Sequence, residues 1–166
     1  SGIMLPDSIR HLKGKELKNA IPDKIYISLK DMRILTKVDM LMLEMLANCN
    51  WERPLYMAIS VGEVSKLKFD HYFVQEGLAF RFTPFDYKKW GNVKGDNNYA
   101  IDVERLYENV MNRYKYGGLD TPGLYLDETT LRTCYYHRRL FAQLAKELIR
   151  QGDNTRARKV LAYAEQ

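Results

Sequence analysis

Apolar and polar positions alternate, then change period, along the first half of the chain. Ile25, Ile27 and Leu29 alternate with Tyr26, Ser28 and Lys30, the two-residue period of a half-buried strand. Met32-Arg33-Ile34-Leu35 offers a return strand around Lys30-Asp31, without the Asn-Gly or Asp-Gly pair that favours a tight hairpin. At Thr36 the period lengthens. Thr36 and Asp39 have the spacing of a capping box, and Val38, Leu41, Met42, Met45 and Leu46 recur at helical intervals behind them. Met40 and Leu43 widen that stripe, which predicts a helix buried on more than one side. Pro54 pushes Arg53 out of the helical region, and the near-continuous apolar run Leu55 to Val61 predicts a strand buried on both faces. Strand, helix and strand in this order predict a right-handed crossover unit.

Further along, residues 69–77 predict a short helix, and Leu78, Phe80 and Phe82 alternate as a strand ended by Pro84. Phe85 to Tyr99 is a polar, Gly-containing connection. From Ile101 onward the period is helical: Val103, Leu106, Tyr107, Val110 and Tyr114 share one face, and Gly117-Gly118 ends it. Asp127 caps a long helix to about Gln151, with Leu131, Leu140, Leu144 and Leu148 on its buried side. Gly152-Asp153 turns into a last helix through Ala157, Leu161 and Ala164. Phe141, Leu144, Ala145, Leu148, Ala157, Leu161 and Ala164 resemble the aromatic, large and small positions of one tetratricopeptide repeat. The expected fold is α/β (or α+β): a small sheet with crossover helices followed by a tetratricopeptide-like α-helical hairpin. Residues 1–24 form a lead-in packed through Ile9, Leu12 and Leu17, 25–100 the sheet unit, and 101–166 the helical region.

Composition narrows the picture modestly. A chain of 166 residues buries a core without staples. Its 26 Lys and Arg against 21 Asp and Glu give +5, but the cations are spread along the chain. Nucleic-acid binding would need Arg138, Arg139, Arg150, Arg156 and Arg158 to converge on one face, so it is disfavoured. Cys49 and Cys134 are too few for a disulfide scaffold, and they bridge only if the fold brings them together. No apolar run approaches the roughly 20 residues that span a bilayer, so the chain is expected to be soluble.

The run Asn48-Cys49-Asn50-Trp51-Glu52-Arg53-Pro54-Leu55-Tyr56-Met57-Ala58 resembles the signature of a bacterial family of multi-pass membrane proteins, the domain of unknown function 2723. The membrane part of that family looks like protein O-mannosyltransferases. Asn48, Asn50, Trp51, Glu52, Arg53, Pro54, Tyr56 and Ala58 match; Leu55 and Met57 depart while preserving bulk, and Cys49 replaces an amide. The resemblance continues through Tyr72 to Arg81, Gly117 to Asp120 and Tyr125 to Asp127. It implies a C-terminal, extracytoplasmic region of a larger inner-membrane protein, with the transferase chemistry lying elsewhere. Asn48, Asn50, Trp51, Glu52, Arg53 and Pro54 are expected to be structural; on residue chemistry alone, Trp51 packs the turn against the sheet and Glu52 and Arg53 close the turn as a charge pair.

Catalytic constellations are scarce in the sequence. There is no Gly-rich phosphate loop, no Gly-x-Ser-x-Gly elbow and no Cys and His arrangement. His11, His71 and His137 lack metal-ligand spacing, so neither metal nor cofactor is expected. Asp70, His71 and Glu76 are the best candidates for a carbohydrate-active or glycan-binding site, with Asp120 and Asp127 a second acid pair. Tyr87 and Trp90, with Lys88 and Lys89, could offer a stacking platform for a sugar or a base, although anchoring the loop to the core is the simpler role. Tyr135, Tyr136, Phe141 and Tyr163 are more aromatics than a two-helix hairpin can cover, which predicts a docking patch. The expected function is therefore a non-catalytic accessory and interaction region. Its partner would be a protein or the remainder of the membrane-embedded parent, with a glycan as the alternative.

Overall fold

The computed structural model describes residues 11–27, 34–49, 53–61, 70–89, 99–119 and 121–165. The chain forms two compact units: one runs to Gln75 and resumes over Ala79–Ile101, and the other joins Glu76–Leu78 to the chain from Asp102 onward.

In the first unit, α1 (Gly14–Ala20) and α2 (Lys37–Asn48) accompany a four-stranded sheet of β1 (Tyr56–Ala58), β2 (Phe73–Gln75), β3 (Ala79–Phe82) and β4 (Ala100–Ile101). The order is β1-β3-β2-β4; β3 is antiparallel to β1 and β2, and β4 is parallel to β2. Pairings Phe73 with Phe82 and Met57 with Phe80 put large apolar side chains on one face. There Tyr72, Phe73, Phe80 and Phe82 make a core, with Met42, Leu43 and Leu46 of α2 and Ile25, Ile27 and Leu55 packed against it. The Phe73 and Phe82 rings meet edge-on at 5.4 Å, a favoured geometry for buried aromatics.

The capping box at Thr36 and Asp39 forms: each backbone N–H donates to the other residue's side chain, at 2.9 Å and 3.2 Å. Several expectations need correction. Helix α2 is buried on one side only, because Val38, Met40, Leu41 and Met45 are exposed. Strand β1 is a three-residue edge strand with Tyr56 and Ala58 outward, not a doubly buried one. Among the described strands it pairs only with β3. Lys24–Ile27 is irregular, although Ile25 and Ile27 point inward and Tyr26 outward. The antiparallel β1–β3 pair therefore replaces a crossover unit. Residues 70–75 form a 3-10 turn followed by β2 rather than a helix, because Phe73-Val74-Gln75 is buried throughout as an interior strand. The hairpin around Lys30-Asp31 falls outside the described residues.

In the second unit, α3 (Val103–Glu108) runs into a π-helical turn at Asn109–Arg113, followed by α4 (Glu128–Arg150) and α5 (Asn154–Ala164). Asp127 caps α4 by accepting from Thr130 N–H at 2.8 Å, and Asp153 caps α5 from Arg156 N–H at 2.9 Å. Gly152, at φ 83, supplies the left-handed turn between them. The core is Leu140, Phe141, Leu144, Ala145 and Leu148 of α4 with Ala157 and Val160 of α5. Leu131 and Leu161, expected inside, are exposed. At 2% exposure, Ala157 has no room for growth. Ala157→Leu is expected to cost about 1–3 kcal/mol by overpacking, readable as a lowered urea midpoint.

Ion pairs tie this unit at its surface and interior. Arg156 bridges Glu104 at 2.8 Å and Asp153 at 2.6 Å, and its guanidinium lies 5.3 Å from the Tyr107 ring centre. The Arg156 hydrogen bonds hold the Glu104 carboxyl below its ordinary range. Buried Glu76 accepts from Arg105 at 2.8 Å, and its carbonyl accepts from the Asn109 amide at 2.6 Å. The described helix α3 gives way at Asn109, earlier than the expected end at Gly117-Gly118.

Candidate functional site

The second unit holds a pocket of about 530 Å³. Its floor is built from aromatic side chains that arrive on three segments. The chain leaves the π-helical turn at Tyr114 in an extended conformation and turns back through Gly117 and Gly118, at φ 62 and 80. Between these points Tyr116 is fixed by its hydroxyl, which donates to the Val110 carbonyl at 2.8 Å. Tyr114 is fixed by accepting from the Leu78 N–H at 3.0 Å. On α4, His137 and Phe141 are four residues apart and so share a face. Tyr116 meets His137 edge-on at 5.3 Å and Phe141 at 5.8 Å. Tyr163 of α5 completes the cluster, 6.0 Å from Tyr116 and 5.7 Å from Phe141. Leu119, Leu126 and Leu131 add aliphatic wall, while Lys115, Cys134, Tyr135 and Arg138 complete the polar part of the lining.

Burial decides the charge of this site. It pushes the Tyr116 hydroxyl up to about 12, with smaller contributions from Tyr163 and Tyr114. It also lowers His137 below its ordinary 6.5, because the imidazolium would lose hydration. At neutral pH both rings are uncharged, and the positive charge of the lining belongs to Lys115 and Arg138. The His137 shift predicts a pH dependence of stability. Below about pH 6.5 the unfolded chain takes up a proton that the folded chain accepts only at lower pH. Stability should therefore fall as pH drops from 6.5 through the folded value, then level off. Urea midpoints across that interval should show the fall in the wild type and a smaller one in His137→Phe.

The structure brings together Tyr135, Phe141 and Tyr163, three of the four aromatics singled out on the helical hairpin. Tyr136 is half-buried and is not among the lining residues. Phe141 is 6% exposed and belongs to the core, whereas Tyr135 is 61% exposed and Tyr163 39%. Tyr114, Tyr116, His137, Lys115 and Arg138 were not anticipated in this role. The signal for the histidine was its four-residue spacing from Phe141; Tyr114 was assigned to a helical face that ends before it.

The proposed stacking platform does not form at Tyr87, which is fully buried. Its N–H donates to the His71 carbonyl at 3.0 Å and its ring packs edge-on near Phe85 at 6.4 Å, so it anchors the loop. Trp90 lies outside the described residues, as do Asn50, Trp51, Glu52 and Asp120. Of the signature run, Asn48 ends α2 and donates to the Glu44 carbonyl at 2.8 Å, while Arg53 and Pro54 are exposed.

The residues of the polar alternative fall in different units and are described unit by unit. His71 Nε2 faces Asp86 Oδ2 at 3.9 Å within the first unit, and Asp86 Oδ1 holds its own turn by accepting from Lys88 and Lys89 N–H. Burial and the Asp86 charge raise the neighbouring Tyr72 hydroxyl. Glu76 belongs to the second unit and is engaged by Arg105. No group of three His, Cys, Asp or Glu among the described residues could hold a metal ion. Both cysteines are free thiols. Of the five arginines considered for nucleic acid, Arg150 is paired with Glu147 and Arg156 with Glu104 and Asp153, which removes them from a free cationic surface.

No helix among the described residues is long and apolar enough to cross a membrane. Comparisons with curated proteins and with solved structures gave no match. The family described as TMEM260-associated domain 2 matches residues 8–104, more than half of the chain. That span takes in the whole sheet and ends within α3, so the aromatic pocket lies beyond it. The chain therefore belongs to the TMEM260-associated domain 2 family.

Proposed function

We propose that this chain is a non-catalytic accessory region of a glycosyltransferase-like membrane protein, acting on the extracytoplasmic side, and that its helical end docks a protein element. The family membership supports the association with a membrane protein. The resemblance of the Asn48 to Ala58 run to the O-mannosyltransferase-like family supports the nature of the parent. The observation that carries the docking role is the pocket, whose aromatic floor is fixed while Tyr135 stands exposed at its side. Fixed aromatic walls offer large contact area at small entropic cost. The α4–α5 hairpin is the kind of element that tetratricopeptide proteins use for holding partners.

The test is retention of this chain by the separately produced membrane part of its parent in detergent. Tyr135→Ala, at an exposed site with no ring contact among the described residues, is expected to reduce retention severalfold without changing the melting temperature. Equal retention would contradict the docking role. Incubation with lipid-linked and nucleotide sugars should give no product above a denatured control. Turnover abolished by Asp70→Asn or Glu76→Gln would overturn the non-catalytic reading.

A further inference from the structure

We infer that the aromatic pocket recognises an acidic peptide segment carrying an aromatic or aliphatic anchor. This rests on the docking role proposed above and names the chemistry of the partner. Charge is the first observation. Lys115 and Arg138 line the pocket without an ion-pair or hydrogen-bond partner among the described residues, whereas Arg105, Arg150 and Arg156 are each neutralised by a carboxylate. No Asp or Glu is among the described lining residues. Two uncompensated cations beside a low-dielectric aromatic wall favour an anion, and a guanidinium favours a carboxylate in bidentate geometry.

The inventory of polar groups separates a peptide from a sugar. Sugar hydroxyls both donate and accept, and carboxylate and amide side chains are strong acceptors for them. Among the described residues the lining has no Asp, Glu, Asn or Gln, and the Tyr116 hydroxyl is already committed to Val110. Donors therefore dominate. A peptide with carboxylates satisfies them, and its anchor fills the apolar part bounded by Tyr116, Phe141 and Tyr163. A volume of about 530 Å³ lies within the range of sites that take ligands of a few linked groups. The Nδ1 of His137 is buried with no hydrogen-bond partner among the described residues.

The experiment is selection of a random eight-residue peptide library on the 166-residue chain. The expected result is enrichment of Asp and Glu together with one Trp, Phe or Leu. A selected peptide should bind Lys115→Gln/Arg138→Gln about tenfold or more weakly, the equivalent of one lost charge-assisted contact, with an unchanged melting temperature. Its amide isostere, with Asn and Gln for Asp and Glu, should bind the wild type as weakly. No enrichment, enrichment without acidic bias, or equal binding by the double variant would overturn the inference. So would binding of phosphatidylserine vesicles or of a mannose oligosaccharide in preference to the selected peptide. The two readings fail separately. Unbiased peptides with Tyr135→Ala still lowering retention by the parent would remove the acidic chemistry alone. Acidic enrichment with retention indifferent to Tyr135→Ala would instead remove the proposed docking to the parent.

Discussion

Phe82→Ala is expected to destabilise the sheet unit by about 3–5 kcal/mol, the range for truncating a large aromatic in a core. Phe82 is 4% exposed, lies 5.4 Å from the Phe73 ring and 6.2 Å from Tyr72, and carries the N–H that donates to the Leu55 carbonyl at 2.9 Å. Truncation removes the ring that β3 presents to both β2 and the segment before β1, and the backbone bonds around it resist collapse into the space. Urea unfolding measures the effect. Tyr26→Ala, at a strongly exposed ring on the same unit, should stay within about 0.5 kcal/mol of the wild type. A Phe82→Ala loss below about 1 kcal/mol would show that this face is not the core.

Gly77→Ala is expected to cost about 2–4 kcal/mol, from backbone strain and steric conflict together. Gly77 has φ 154, a conformation that L side chains rarely adopt, and an added Cβ would collide with the Tyr114 hydroxyl. That hydroxyl cannot simply swing aside, because the Leu78 N–H donates to it at 3.0 Å and the ring stands edge-on to His137 at 6.3 Å. The substitution should therefore disturb the pocket wall as well as stability. In a Tyr114→Phe background the colliding oxygen is gone, so the same substitution should cost less. A double-mutant cycle reads the difference as a coupling energy, and strict additivity would refute the contact.

What was legible in the sequence follows from how local each determinant is. Thr36 with Asp39, Asp127, and Gly152-Asp153 act within a few residues of themselves, and the helix starts and the α4–α5 turn came out as read. The mixed α/β class with a helical pair at its end was legible for the same reason. Strands were harder. The Leu55 to Val61 run is more apolar than Phe73-Val74-Gln75, yet the latter is interior and the former an edge, because strand order is decided by long-range pairing. Gln75 and Arg81 are buried polar residues in interior strands, which no alternation rule anticipates.

The site was half legible. A surplus of aromatics on the hairpin pointed to Tyr135, Phe141 and Tyr163, but Phe141 serves the core. Tyr163 is packed on Tyr116 and Phe141, so it serves the cluster as well as the pocket surface. The remaining wall comes from Tyr114 and Tyr116, beyond the end of a helix that was read as too long. Its true end is set by the π-helical turn at Asn109–Arg113 and by bonds to Glu76, 33 residues earlier. Such a connection leaves no periodic trace.

If the aromatic pocket of the helical end docks a partner as proposed, position 135 lies against that partner. Photocrosslinking from a benzophenone side chain placed at position 135 tests this directly in cells that express the protein. The expected result is one discrete adduct to an acidic segment, weakened when Lys115 and Arg138 are both changed to Gln. Absence of any adduct from position 135, alongside efficient crosslinking from the exposed control position 26, would contradict it.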